Sequence, residues 1–426
     1  MFSRRLAWPH QENRLAAVLR GMRRRAAPVL DLTESNPTRV SLFPPEEERA
    51  VAAELAAAVA DPGLGIYEPD PRGLPSARTA VASYLEGRGQ AASPDRMVLT
   101  ASTSEAYALL FKLLADPGDA VLVPRPSYPL FDYLAAFEAV RVMTYPLSLD
   151  DRFRLDLAPI ASALDAASAA PPRSDSARAE PPRALVLVNP NNPTGTAVRA
   201  SERAALDHLC GERGVAILSD EVFLDYPFPA AAEGGSTERD RPVSMASPRA
   251  SGAPGDGPHA LTFTLGGLSK ACGLPQMKLG WVLVDGPAAI RDEALGRLEF
   301  LADGYLSVGT PVQRAAGRLL AFGAKHQERI RARVLGNLGA LAAALPTASA
   351  CRLLPADGGW SAVMQVPAVL SEEELTLSLL EKDGVLVHPG YFFEFPFEAF
   401  LVLSLLPLPD VFAEAASRLR RTIDGG

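Results

Sequence analysis

An α/β fold, with a large and mainly parallel sheet flanked by helices and then a smaller α+β domain, is what this sequence of 426 residues predicts. Three observations carry the prediction. Strand-length apolar runs alternate with helix-length amphipathic ones through the first two thirds of the chain, the pattern of parallel strands joined by helical crossovers. After about Arg297 the pattern turns helical to about Leu345, and strand-like segments then alternate with helices again. The composition, 48% hydrophobic and 22% charged, suits a globular chain with room for two or three domains.

In chain order, the N-terminus is arginine-rich ("MFSRRLAW", then "LRGMRRRAAP") but has no apolar h-region, so it is not a secretory signal. Pro9 and Glu12 argue against an organelle transit peptide. The segment reads as a basic amphipathic arm, with Leu15, Val18 and Leu19 packing on the body or on a second subunit. Four short apolar runs read as buried strands: Arg96–Thr100, Ala120–Pro124, Ala184–Pro190 and Val215–Glu221. From Ser104 onward Ala106, Leu109, Leu110, Leu113 and Leu114 recur at helical spacing, and a second helix covers roughly Ser201 to Arg213, stopped by Gly214. Residues 167–183 and 228–260, rich in Pro, Ala, Gly and Ser, read as flexible surface excursions, because strands resume on either side. Towards the C-terminus "GGWSAVMQVP", "GVLVHPG" and "FLVLSLLP" read as the strands of the smaller domain.

Several function classes fall away. A net charge of -8 leaves no global basic surface for nucleic acid. Five histidines without ligand spacing predict no metal site. Cys210, Cys272 and Cys351, odd in number and far apart, form no disulfide framework and fit a reducing cytoplasm. No apolar run approaches the ~20 residues of a membrane helix.

The chemistry collects at strand ends. Lys270 sits in "FTLGGLSKACGLPQMKLGW" among glycines and small residues, with no acid nearby. A buried ammonium must find a partner, lose its charge, or be consumed as an imine with an aldehyde. Asp220 closes the strand before "EVFLDY", where a parallel sheet meets its ligand crevice. The cluster "VNPNNPTGT" places amides at another strand end, and "LTASTSEAY" offers Ser102, Thr103 and Ser104 to an anion at a helix start. Tyr128, in "PRPSYPLF", lies just beyond a strand, where its ring can stack on a planar ligand.

The order "IYEPDPRGLP", "TASTSEA", "PSYP", "NPNNPTG", "SDEVF", "GLSK" resembles the class I/II aminotransferases, fold-type I enzymes that use pyridoxal 5′-phosphate. The resemblance spans roughly Leu30 to the C-terminus. It implies that Lys270 holds the cofactor as a Schiff base and, once released, moves the proton between the substrate's Cα and the cofactor. It implies that Asp220 faces the pyridine nitrogen, that Asn192 hydrogen-bonds the ring's phenolic oxygen, and that Tyr128 stacks on the ring. Ser102, Thr103, Ser104 and Ser269 surround the phosphate by the same resemblance, with Lys278 where an arginine is usual. Tyr67 resembles the tyrosine that reaches the neighbouring subunit's phosphate, which implies a homodimer with shared sites. The implied division is an N-terminal arm that joins the small domain (1–45), a large cofactor domain (46–296) and a small C-terminal domain (297–426).

The sequence departs from the family's pattern at four places. Phe223 stands for a tyrosine, Lys278 for an arginine, Gly267 for a serine that some members carry, and Val402 for the arginine that grips the substrate's carboxylate. Arg39, then Arg72, then Arg297 are the substitutes the sequence offers. Amino transfer between an amino acid and a 2-oxo acid is the implied reaction. Elimination, replacement or cyclisation on the same scaffold is the alternative. A ligand-sensing regulator of this fold needs a DNA-binding module, and the segment before "LDLTESNPT" is too short for one.

Overall fold

A computed structural model describes residues 2–6, 12–149, 152–166, 181–229, 241–248, 258–346 and 349–424. After a two-residue strand β1 (Leu30–Asp31), seven strands form the large sheet: β2 (Met97–Thr100), β3 (Ala120–Arg125), β4 (Arg141–Pro146), β5 (Ala184–Val188), β6 (Ala216–Asp220), β7 (Thr262–Gly267) and β8 (Gly280–Asp285). Their order is β2-β8-β7-β6-β5-β3-β4. Every pairing is parallel except those of β8, which runs antiparallel to both β2 and β7.

Apolar runs without alternation become strands buried on both faces, and β5 shows why. Ala184, Val186 and Val188 pack toward the helices Thr103–Leu114 and Ala288–Asp303, while Leu185 and Leu187 pack on the other side with Ile160, Leu206 and Cys210. The strand bounds run within two residues of the sequence reading. Gly214 does end its helix, in the left-handed conformation at φ 64°. Where β7 and β8 pair inside the sheet, Gly266 lies opposite Trp281 and has no room for a side chain: a Cβ there would sit 2.5 Å from the indole nitrogen of Trp281. Gly266→Ala is therefore expected to destabilise the fold by about 1–3 kcal/mol, the usual cost of overpacking. Chemical denaturation of the variant checks this.

The second sheet, of four strands in the order β12-β13-β10-β9, contains β9 (Arg352–Leu353), β10 (Ser361–Gln365), β12 (His388–Pro389) and β13 (Phe400–Ser404); β11 (Val385–Leu386) instead pairs with β1. The helical stretch differs from expectation in starting earlier, at Ala288, and breaking between Asp303 and Thr310, where Gly304 and Gly309 interrupt it. Its second part is one helix of 35 residues, Thr310–Ala344, about 50 Å long at 1.5 Å per residue. The N-terminal half of this helix (Val312, Ala315, Leu319) packs in the core beside β2 and β8. Its C-terminal half (Ile330, Val334, Leu341) packs in the core of the second sheet.

Of the two covers expected for the arm's apolar face, the structure shows the body of the same chain; one expectation about the excursions is corrected. The helix Arg14–Arg24 buries Leu15 and Met22 against Leu377, Leu380 and Leu386 of the same chain, with Val18 and Leu19 half-buried beside them. Most of the expected flexible excursions, residues 167–180, 230–240 and 249–257, lies outside the described residues. The return segment 241–248 is no excursion, because Val243, Met245 and Ala246 are buried. Glu221 holds it there, accepting from Ser244 Oγ at 2.5 Å and from the Met245 N–H at 2.8 Å. Among the described residues no helix is long and apolar enough to cross a membrane.

Candidate active site

The C-terminal ends of β2, β3, β5, β6 and β7 point to one edge of the large sheet, and antiparallel β8 brings its first residue, Gly280, to the same edge opposite Thr100 and Gly267. A cavity of about 330 Å³ opens there. It is lined from the large sheet by Ser102, Thr103, Ser104, Tyr128, Asn192, Asp220, Ser269 and Lys270. The opposite wall comes from the segment after β1 (Thr33, Ser35) and from the second sheet (Trp360, Ser361, His388, Val402, Ser404). The site thus lies between the two sheets, in the crevice where open α/β sheets take ligands.

Each side chain is placed by local structure. Ser102 caps the helix Thr103–Leu114, its Oγ accepting from the Glu105 N–H at 3.2 Å. The N–H groups of Thr103 and Ser104 then remain without partners inside the helix, at its positive end. Asp220 and Glu221 are neighbours in sequence but point to opposite faces, as a strand requires. Glu221 turns inward to Ser219, Ser244 and Met245, and burial pushes its carboxyl up to about 7. Asp220 faces the cavity, where it accepts from the Val222 N–H at 3.2 Å and the Tyr107 hydroxyl at 3.4 Å. Burial pushes its carboxyl up to about 6, against those hydrogen bonds and the charge of Lys270.

Lys270 is pushed the other way. Burial lowers its pKa, and the Asp220 carboxylate only partly opposes this. Its Nζ lies 5.3 Å from the Trp360 ring and 5.9 Å from the Phe223 ring, and its backbone carbonyl accepts the Tyr226 hydroxyl at 2.6 Å. An amine whose charged form burial disfavours is a readier nucleophile and base. A separate cavity of about 470 Å³, lined by Tyr84, Arg88, Asp225 and Arg331, has its charges spent on one another. Tyr84 and Arg88 both bond the Asp225 carboxylate, and Arg331 bonds its backbone carbonyl.

The aminotransferase class I and II family profile matches residues 27–412. The chain belongs to that family. It is similar to nicotianamine aminotransferase 1 of Oryza sativa subsp. japonica, 30% identical over 66% of this chain and 50% of that one. The chain thus spans about half the length of that relative. It is also similar to 1-aminocyclopropane-1-carboxylate synthase 3 of the same plant, 31% identical over 75% of this chain and 69% of the other. In fold it matches the alanine aminotransferase from Pyrococcus furiosus, with TM-score 0.79 over the full length of both chains at 22% identity.

Enzymes of this family use pyridoxal 5′-phosphate, and the donor set of the cavity fits that group. Three hydroxyls at a helix N-terminus, with Ser269 from the turn before Lys270, suit its phosphate, the half-buried Asp220 carboxylate suits its ring nitrogen, and the Tyr128 ring and the Asn192 amide complete the wall. Other residues named for the aminotransferase site lie elsewhere in the single chain. Lys278 is exposed, in the left-handed region at φ 53°, and Tyr67 is 80% exposed beside Tyr305; neither lines the cavity. Arg39 is exposed and 3.6 Å from Glu34. Arg72 lies 3.4 Å from Glu299 and donates to the Asp95 carbonyl, and Arg297 pairs with Glu293. Among the described residues no arginine lines the cavity.

The sequence reading missed four contributors. Tyr107 had a signal, since it lies one helical turn after Thr103 and so on the same face. Trp360, His388 and Tyr226 had none, because their approach to Lys270 depends on how the second sheet and the turn after β6 meet the first.

Proposed function

We propose that the chain is a pyridoxal 5′-phosphate-dependent aminotransferase that moves an amino group between an amino acid and a 2-oxo acid. The observation that carries this reading is a half-buried lysine and a half-buried aspartate lining one cavity, with hydroxyls at a helix N-terminus beside them. The cofactor supplies an aldehyde that takes amines covalently and a ring that draws electrons from the neighbouring carbon. The chain supplies the rest. Asp220, ionised near neutral pH, holds a proton on the ring nitrogen. Ser102, Thr103, Ser104 and Ser269 take the phosphate, Tyr128 covers the ring, and Asn192 orients it. Lys270 Nζ, whose ammonium form burial disfavours, takes the proton from the substrate's Cα and later returns one. Trp360 and Phe223 exclude water from that exchange.

The test is a panel of amino donors with the purified holoenzyme, read by cofactor absorbance. Transamination leaves the cofactor in its amine form after a half-reaction, and an unchanged spectrum with every donor refutes the reading. The second reading is an elimination, replacement or cyclisation on the same scaffold. Val402 and Phe223 favour it, as does a relative that is a synthase by name. It predicts that the starting spectrum returns after each cycle.

The same reading makes the chain a homodimer with shared sites. Its support is the exposure of Tyr67 (80%) beside Tyr305 (56%); aromatic surface so exposed asks for a partner. Tyr67 and Lys278 then serve the phosphate of a complete site. Analytical ultracentrifugation should show a dimer, and a fully active monomer at nanomolar concentration refutes it. The reading also divides the chain into the arm at 1–45, a cofactor domain at 46–296 and a small domain at 297–426, supported by the two sheets. A cytoplasmic setting is supported by the free, buried thiols of Cys210, Cys272 and Cys351.

A further inference from the structure

We propose that His388 receives the substrate's α-carboxylate, in the place left by the arginine absent at Val402, and that the substrate is a monocarboxylic amino acid with an apolar or aromatic side chain. The inference rests on the cavity being an amino-acid site. Its starting point is register: His388 on β12 is paired with Val402 on β13. Residues directly opposite in an antiparallel pair share a face of the sheet, with Cβ atoms about 5 Å apart. Both side chains line the cavity. The imidazole therefore emerges beside the point from which the family's arginine would reach.

The ring is free to take a ligand. Its contacts are edge-on and tilted against Phe393 and Phe392, both with ring centres at 5.9 Å, and no described residue hydrogen-bonds its nitrogens. Apart from Lys270, it is the only side chain lining the cavity, among the described residues, that can carry a positive charge. A carboxylate in such a pocket needs a charged partner. The wall around it is apolar at Trp360, Phe223, Phe393 and Val402, with neutral hydroxyls from Ser361 and Ser404, and has no second cation for a dicarboxylate.

Binding then takes up a proton. Burial holds His388 below the ordinary histidine value, with the Asp31 carboxylate partly opposing. Asp31 is itself engaged by the Thr33 N–H and hydroxyl. Glu372, on the helix packed against β12, is taken up by the N–H groups of Tyr391, Ala399 and Phe400, and β13 contributes no charge. Across the cavity stand Lys270 and Asp220. The free imidazole is thus neutral at pH 7 and above. A bound carboxylate makes the imidazolium, so affinity falls as pH rises, by about tenfold per unit for one proton.

The test is calorimetric binding of 3-phenylpropanoate and of its neutral counterpart 3-phenylpropan-1-ol to the holoenzyme at pH 6, 7 and 8. Neither probe carries an amine, so the result does not depend on turnover, and the donor panel separately decides whether the protein transfers amino groups. The wild type should prefer the acid at least about tenfold at pH 6 and lose most of that preference by pH 8. His388→Asn should bind acid and alcohol alike at every pH. His388→Arg should restore the preference and remove its pH dependence. An Asn variant that keeps the wild-type preference, or a wild-type preference that does not change with pH, overturns the proposal.

Discussion

Lys270→Ala should lower kcat by at least about 10²–10⁴-fold, the usual contribution of one positioned proton-transfer group. The argument is electrostatic as well as geometric. Among the described residues no carboxylate lies within ion-pair distance of Lys270, its neighbours are the Trp360 and Phe223 rings, and burial disfavours its charged form. A lysine kept only for structure would be paired or exposed. The variant should still retain cofactor, because Asp220 and the four hydroxyls around the phosphate position are untouched. Absorbance after dialysis measures that retention. In the wild type, borohydride reduction followed by peptide mapping should place the cofactor on the Lys270 peptide. A label on Lys112 or Lys278 ends the assignment, and so does a Lys270→Ala enzyme with unchanged kcat.

Asp220→Asn should do two opposite things. Turnover should fall, because an amide holds no negative charge against the ring nitrogen. The cofactor-free protein, in contrast, should become more stable near neutral pH. In the folded chain the carboxyl sits at about 6, above the unfolded reference of 3.8, so the folded state holds the proton longer. Stability from this group is therefore full below about pH 4, declines as pH rises through about 6, and stays reduced above it. The shift sets the scale at about 1–3 kcal/mol. Denaturation midpoints of both cofactor-free proteins between pH 4 and 8 test this. The wild type should lose stability across that window relative to the Asn variant, and parallel curves contradict the sign.

The large sheet was legible because parallel strands are covered on both faces, so their residues are apolar without alternation and stand out between helices. The residues at the ends of those strands (Asp220, Asn192, Ser102, Lys270) were legible for the same reason, since a strand's end fixes its first exposed side chain. Long basic side chains were not. Arg72 follows a turn-forming run that offers it as a substrate ligand, yet its guanidinium is taken by Glu299 and a backbone carbonyl, neither of them close in sequence. His388 is the reverse case. Nothing in "GVLVHPG" distinguishes it from a core histidine until β12 is registered against β13.

The 35-residue helix has one further consequence. Its midpoint is tied to the two residues after Lys270: His326 Nδ1 lies 2.9 Å from the Cys272 carbonyl, and the Gln327 amide donates to the Ala271 carbonyl at 2.5 Å. Gly323 seats the same turn so closely that a Cβ would overlap the Cys272 sulfur. A rod gripped at its middle is a balance beam whose fulcrum is the turn after Lys270. The lobe carrying His388 and Trp360 rides on the distal arm of the beam, and Lys270 sits over the pivot. Any tilt of the substrate wall about that point would leave the reacting amine at its address.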